Sequence, residues 1–335
     1  MIAPLSWRTP PRHYGPWELV TSMLTEGLVE RGHDVTLFAT ADSITSAELS
    51  AVCPRPYSED PTIDVKVWES LHLANVFERA DEFDVIHNHY DFLPLTYGAL
   101  HNTPLVTTIH GFSSERVMPV YQRYDGRTAY VAVSDAHRDP RLTYVGTVHH
   151  GIPVEDYPFR SDVEDHLVFW GRVDHDKGAA EAIDVARRAG RRLLIGGIVP
   201  DREYFDRAVA PHVDGDRVVY LGPVGSAERA TVLGRAVGLL HMVNFDEPFG
   251  LSLIEAMAHG TPVVSMRRGA ADEVIAHGTS GFLVDNLDEA VDAVHAVPRL
   301  DRAAVHQHVK RHFSRDRMTE DYLTIYRALL ARQRV

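Results

Sequence analysis

The sequence predicts an α/β protein built of two doubly wound, parallel-sheet domains. Three observations carry this. Short β-branched runs alternate with helical patterns along the whole chain, and strand–helix–strand alternation implies parallel sheets with right-handed crossovers. The 335 residues suffice for two separate cores at about 150 residues per domain. Midway, His150–Pro158 (HGIPVEDYP) interrupts the alternation with a glycine and two prolines and reads as a linker.

In chain order, Met1–Leu5 occupies the place of a first strand, but Pro4 cuts it short of the usual five or so apolar residues. It is expected to be a clipped strand. Glu18 to Arg31 follows with Val20, Leu24 and Leu28 at helical spacing, and Gly32 stops it. Strands are expected at Asp34–Phe38, Asp84–His87, Leu105–Ile109, Tyr130–Val133 and Thr143–His149. Beyond the linker they are expected at Leu167–Trp170, Arg192–Ile195, Val218–Leu221, Gly238–Met242, Pro262–Ser265 and Phe282–Val284. Two such domains on one linker predict a cleft, with ligands beyond the C-terminal ends of the strands. Arg315–Arg334 is a final helical stretch, with Met318, Tyr322, Ile325, Tyr326 and Leu329 apolar.

Composition removes several functions. Apolar residues make up 44% and charged residues 24%, an ordinary globular balance. The net charge is −13, with −8 on residues 1–150 and −5 on the rest. Such an acidic chain does not suit nucleic acid, which needs a basic face. No apolar run nears the roughly 18 residues of a membrane span, and no leader-like segment opens the chain, so the cytosol is the expected compartment. Cys53 is the only cysteine, which excludes a disulfide scaffold and a cysteine-built metal site. Lysine is rare: only Lys66, Lys177 and Lys310 occur among 34 basic residues.

The densest signal is Asp246–Ser265, DEPFGLSLIEAMAHGTPVVS. Pro248 suits the first turn of a helix, Gly250 allows close approach to the backbone, and Leu251–His259 is a short helix stopped by Gly260. Its first N–H groups make an anion site. Glu247 precedes them, and Glu255 lies eight positions on among Leu253, Ile254, Ala256 and Met257. A carboxylate in so apolar a helix needs a partner, and sugar hydroxyls would serve both glutamates. An exposed helix-forming Glu255 is the plainer alternative.

This stretch resembles the signature of glycosyltransferase family four, retaining enzymes of the GT-B fold that use nucleotide sugars. EPFGLSLIEAMAHGTPVV matches the family pattern in full. The resemblance covers nearly the whole chain and is strongest from Leu167 to Asp285. It implies that Glu247 orients the transferred sugar, that Glu255 holds the ribose, and that the helix start at Phe249, Gly250 and Leu251 faces the diphosphate. LVFWGRVDHDKG (Leu167–Gly178) resembles the family segment that presents Arg172 and Lys177 to the diphosphate. Fixed cations there stabilise charge as it develops on the leaving group. PPRHYGPWE (Pro10–Glu18) resembles the N-terminal glycine loop, with Gly15 kept and Pro16 in place of a second glycine, which removes one backbone donor. VTTIHGF (Val106–Phe112) implies that His110 bonds the sugar or the acceptor. VVYLGPV (Val218–Val224) implies a base pocket near Val224. The family fold returns its last helix to the N-terminal domain, which sets the domains at 1–150, 151–314 and a terminal helix at 315–335.

Two further patterns compete. Asp174-His175-Asp176 spells the Asp-x-Asp of metal-dependent transferases, but it lies between Arg172 and Lys177, so no metal is expected. His87-Asn88-His89-Tyr90-Asp91 is expected to be a polar loop, with a surface zinc or the acceptor pocket as alternatives. The loops Tyr57–Pro61 and Ser113–Tyr124 are expected to meet the acceptor. An amphipathic membrane contact is the alternative use of the terminal helix.

The resulting expectation is a metal-independent, cofactor-free hexosyltransferase acting on a hydroxyl acceptor, with UDP as the default base because it is the family's commonest. A non-catalytic nucleotide-sugar-binding protein and a GT-B sugar nucleotide epimerase are the alternatives.

Overall fold

A computed structural model describes residues 1–112 and 114–333. Ser113, Arg334 and Val335, which fall in two of the segments read above, lie outside the described residues. The chain forms two compact units: Met1–Gly151 with the segment from Arg315, and Ile152–Ser314.

The first unit carries β1 (Thr36–Phe38), β2 (Glu48–Ser50), β3 (Ile86–Asn88), β4 (Leu105–Ile109), β5 (Ala129–Ala132) and β6 (Tyr144–Thr147). All pair in parallel, β1 with β2 and β3 through β6 in order. The clipped opening segment joins the two groups. Ile2 bridges Phe38 of β1 and Asn88 of β3, and Ala3 and His89 complete the ladder through Phe38 and Ile2 at 3.0 Å. It runs between β1 and β3 inside the sheet, and Ile2 and Ala3 are fully buried there. β2 escapes sequence reading because Glu48-Leu49-Ser50 has one apolar residue and little burial.

The helix Pro16–Glu30 begins two residues before the expected start, with Pro16 at its first position, where a missing N–H breaks no helical bond. The helix Arg315–Gln333 packs across it. A Cβ on Gly27 would lie 2.4 Å from Thr319 Oγ1, so the two backbones cross closely. Arg31 pairs with Asp316 and Arg315 with Glu30. Of the segment read as an acceptor loop, Met118–Tyr124 is helical, and Met118 and Tyr121 are buried in the core.

The second unit carries β7 (His166–Trp170), β8 (Arg192–Gly196), β9 (Val218–Gly222), β10 (Gly238–His241), β11 (Val263–Met266) and β12 (Gly281–Val284). The sheet order is β12-β11-β10-β7-β8-β9, all parallel. Sheets covered on both faces need continuous apolar strands, and Leu167, Phe169, Leu193, Ile195, Leu240 and Val264 supply them. Numbered within the unit, this is the 3-2-1-4-5-6 order of a dinucleotide-type fold. The chain reverses direction between β7 and β10. Connections leave these two strands towards opposite faces and open a crevice at their C-terminal ends.

Candidate functional site

The loops after β7 and β10 flank that crevice, and Asn244 stitches them together. Its N–H donates to Asp176 O at 2.7 Å, and its side-chain amide to His175 O at 2.8 Å. Gly178 makes the approach feasible. It is left-handed (φ 73), and a Cβ there would sit 1.7 Å from the Met242 carbonyl oxygen. This apposition presses Lys177 against Glu247, whose Oε2 it contacts directly. The Lys177 ammonium also lies 5.1 Å above the Phe245 ring. Burial pushes the Glu247 carboxyl up, but Lys177 and then His241 outweigh it and hold its pKa at about 2.

Arg172 is half-buried on the same loop, 2.9 Å from Asp174 Oδ2, and Asp174 Oδ1 accepts the Lys177 N–H at 2.9 Å. The Asp-x-Asp segment is therefore tied to its flanking cations, with His175 and Asp176 exposed. Among the described residues, no three His, Cys, Asp or Glu side chains converge on a metal-holding position.

The helix of the motif covers Leu251–Ala258, capped by left-handed Gly250 (φ 89). Pro248 therefore precedes the cap and is not in the first turn as expected, because the left-handed residue interrupts the helical path. The helix-start donors are the N–H groups of Leu251 and Ser252, which have no acceptor within the helix itself. Phe249 supplies packing: its ring is 3% exposed and meets Phe313 edge-on at 5.9 Å. Ala270 donates to Glu247 O at 2.9 Å and Gly269 to Asp246 Oδ1 at 3.2 Å, so the loop after β11 clamps the motif from outside.

Glu255 is 3% exposed. Its partners are Arg229, 3.3 Å from Oε1, and the Tyr157 hydroxyl, 3.5 Å from the same oxygen. It is a buried, paired carboxylate, not an exposed helix former. Val224 is half-buried in the turn between β9 and the helix Ser226–Arg235. The structure thus brings Arg172, Lys177, Glu247, Gly250 and Leu251 onto adjoining loops at one end of one sheet.

Gly15 and His110 belong to the other unit. Gly15 (φ 145) caps the helix Pro16–Glu30, with Trp7, Pro11 and Glu18 crowding its α-carbon. Glu18 accepts the Trp7 N–H at 3.1 Å, and burial raises its carboxyl to about 7. His110 ends β4 inside a histidine chain. Its Nε2 is 2.9 Å from His89 Nδ1, its Nδ1 is 3.4 Å from His150 Nε2, and Trp17 stacks on it at 5.5 Å. Burial lowers its pKa to about 3 and those of His87, His89 and His150 well below the usual range. The His87–Asp91 segment is accordingly no surface loop: His87, Asn88, His89 and Tyr90 are buried. The polar alternation misled because each group finds an internal partner, such as the Tyr326 hydroxyl 2.5 Å from His87 Nδ1.

Two family models match the chain: "Glycosyl transferases group 1" over residues 164–300 and "Glycosyltransferase Family 4" over residues 18–146. The chain belongs to the family-four glycosyltransferases. It is similar to the D-inositol 3-phosphate glycosyltransferase of Pseudarthrobacter chlorophenolicus, at 24% identity over 78% of this chain and 76% of that one. Its fold is similar to that of sucrose-phosphate synthase from Thermosynechococcus elongatus, with TM-score 0.79, 19% identity, and 98% of each chain covered. It is also similar to Anabaena HepE solved in complex with UDP-glucose, with TM-score 0.73, 18% identity, and 98% and 99% covered. These neighbours and the two Rossmann-like units give the GT-B fold.

Sequence reasoning on this glycosyltransferase missed His241, Ser265, Asn244, Arg229 and the partners of His110. His241 carried a signal, because a histidine closing the apolar strand GLLH directly before the motif needs a reason. Arg229 carried none, since an arginine in SAERATVLGR reads as an exposed helix residue.

Proposed function

We propose that this glycosyltransferase transfers a hexosyl group, with retention of configuration, from a nucleotide diphosphate sugar to a hydroxyl acceptor, without a metal ion or cofactor. The observation that carries this is the Lys177–Glu247 pair at the switch point, beside the start of the helix Leu251–Ala258. It joins a phosphate-binding cation, a sugar-orienting carboxylate and helix-start donors at the place where doubly wound sheets bind nucleotides.

In this reading Lys177, Arg172 and the Leu251 and Ser252 N–H groups hold the diphosphate. Glu247 accepts from sugar hydroxyls, and Glu255 accepts from the ribose. The base lies near Val224. The bond from the anomeric carbon to the phosphate oxygen breaks, and its electron pair goes to the diphosphate, where the cations stabilise it. The acceptor oxygen bonds the same face, and its proton passes to the departing phosphate oxygen. We assign acceptor binding to the first unit, with Gly15 and His110 on that side. UDP is the donor base of choice, since HepE, which shares this fold, binds UDP-glucose.

A thermal-shift panel of UDP-, GDP-, ADP- and TDP-glucose, with and without EDTA, tests the donor and the metal together. Binding to the folded state raises Tm with ligand concentration. One nucleotide should stabilise selectively, and EDTA should leave the shift unchanged. Loss of the shift in EDTA overturns metal independence.

A further inference from the structure

Trp170 ends β7 and lies outside the core of its unit. Leu167 and Phe169 of the same strand face that core, together with the helices Ala179–Arg188 and Leu287–Ala296. Side chains alternate along a strand, so Trp170 projects from the opposite face. There the helix Ser226–Arg235 packs against β7 and the helix Leu251–Ala258 against β10. Trp170 is partly exposed, and no ring of a described residue stacks on its indole.

Three strand ends form a row. Trp170 is level with Gly196 of β8, and Gly196 is level with Gly222 of β9. The Gly171 N–H donates to Gly196 O at 3.1 Å and the Gly197 N–H to Gly222 O at 3.0 Å, which ties the three ends together. Trp170 brings the one side chain to this row of three. Its six-membered ring lies across Gly196, where an added Cβ would stand 2.1 Å from Cζ3 and 2.6 Å from Cη2. Neighbouring strands stand ~4.8 Å apart, so the indole spans β8 and stops short of β9. Over Gly222 (φ 76) nothing comes within 4 Å of the Cβ position. The sheet order gives the row its meaning. The loop after β7 carries Arg172 and Lys177, and β9 leads into the turn at Val224. The ring therefore lies between the diphosphate cations and the base turn.

We propose that Trp170 stacks on the nucleobase of the donor. This rests on the donor reading given above. A nucleotide whose diphosphate meets Arg172 and Lys177 and whose base reaches Val224 has to cross β8, and the indole is what it meets there. A planar base covers an indole face in the offset stack that aromatic pairs prefer. Every base has such a face, so the stack raises affinity for all nucleotides, and the choice among bases falls to groups at the base edge.

The probe is whichever of UDP, GDP, ADP or TDP raises the wild-type Tm most. Trp170→Leu keeps an apolar side chain and removes the stack. Calorimetric titration should show its affinity reduced by about tenfold, the scale of one lost base–aromatic stack. Trp170→Phe, with a smaller ring, should fall between the two. Gly196→Ala tests the placement with the indole still present. Gly196 has no left-handed backbone, and the three atoms nearest its added Cβ all belong to the Trp170 ring, so alanine displaces the ring and should lose affinity like Trp170→Leu. A structural indole would lower the Tm of the ligand-free variants and leave their affinities alike. Fluorescence supplies a second readout. Trp7, Trp17 and Trp68 belong to the first unit, so Trp170 is the sole tryptophan of the second. Saturating nucleotide should quench tryptophan emission in the wild type, and Trp170→Phe should lack that quench. Wild-type affinity in Trp170→Leu, or an undiminished quench in Trp170→Phe, overturns the stacking role and leaves the donor reading standing. Failure of all four nucleotides to bind the wild type sinks the donor reading and this inference with it.

Discussion

Lys177 and Glu247 neutralise each other, so removing either one changes both charge and geometry at the switch point. Lys177→Ala deletes the point charge opposite the leaving group, and Glu247→Ala deletes the acceptor for sugar hydroxyls. Each should lower kcat by about 100-fold, the scale of losing one preorganised electrostatic contact. Circular dichroism should show both variants folded, and unchanged turnover in both would remove the site. Gly178 makes a different demand. With φ 73 and a carbonyl oxygen 1.7 Å from its missing Cβ, Gly178→Ala must push the β7 and β10 loops apart. A loss above ~1 kcal/mol is expected, read as a lower urea midpoint with an unchanged slope.

Among the elements, the helices Ser226–Arg235 and Leu251–Ala258 meet through the buried pair Arg229–Glu255. Removing one member of such a pair strands the other. Arg229→Met should therefore cost about 3 kcal/mol, visible as a fall in Tm. Arg229→Met with Glu255→Met replaces both charges by apolar groups, which is often neutral. The double variant should regain most of the Tm and still bind nucleotide sugar poorly. Recovery of both properties would show that Glu255 is structural only. The same reasoning explains why an acidic residue persists in the helix LSLIEAMA: its charge is matched from the neighbouring helix.

At the scale of the whole molecule, acid stability depends on buried histidines, which both units hold, His166 and His259 in the second among them. The first unit buries His72, His87, His89, His110 and His150 as neutral rings. Burial lowers His72 to about 4 and His110 to about 3, below the usual 6.5 or so of an unfolded histidine. The unfolded chain therefore binds more protons in that window. The stability these rings contribute is complete above about 6.5 and declines as pH falls towards 3. Melting followed between pH 8 and 4 should show Tm falling below pH 6.5. A flat profile would mean the rings titrate alike in the folded and unfolded chain. Truncation after Ser314 should unfold the same unit, because it removes buried Met318, Thr319, Tyr322 and Leu323. Limited proteolysis would detect this.

The alternation of strands and helices, the second-unit strands to within a residue or two, and the family motif were all legible in the sequence, because periodicity, glycine stops and motif spacing act over a few neighbouring residues. Lys177 and Glu247 could be named individually from LVFWGRVDHDKG and EPFG. Tertiary structure alone decided that these two side chains meet, that Arg229 answers Glu255, and that His87 to Tyr90 is core and not surface. Each of those facts joins residues tens to hundreds of positions apart, as with His87 and Tyr326. Burial and charge pairing are settled by what the fold places alongside a residue, and local pattern holds no record of that.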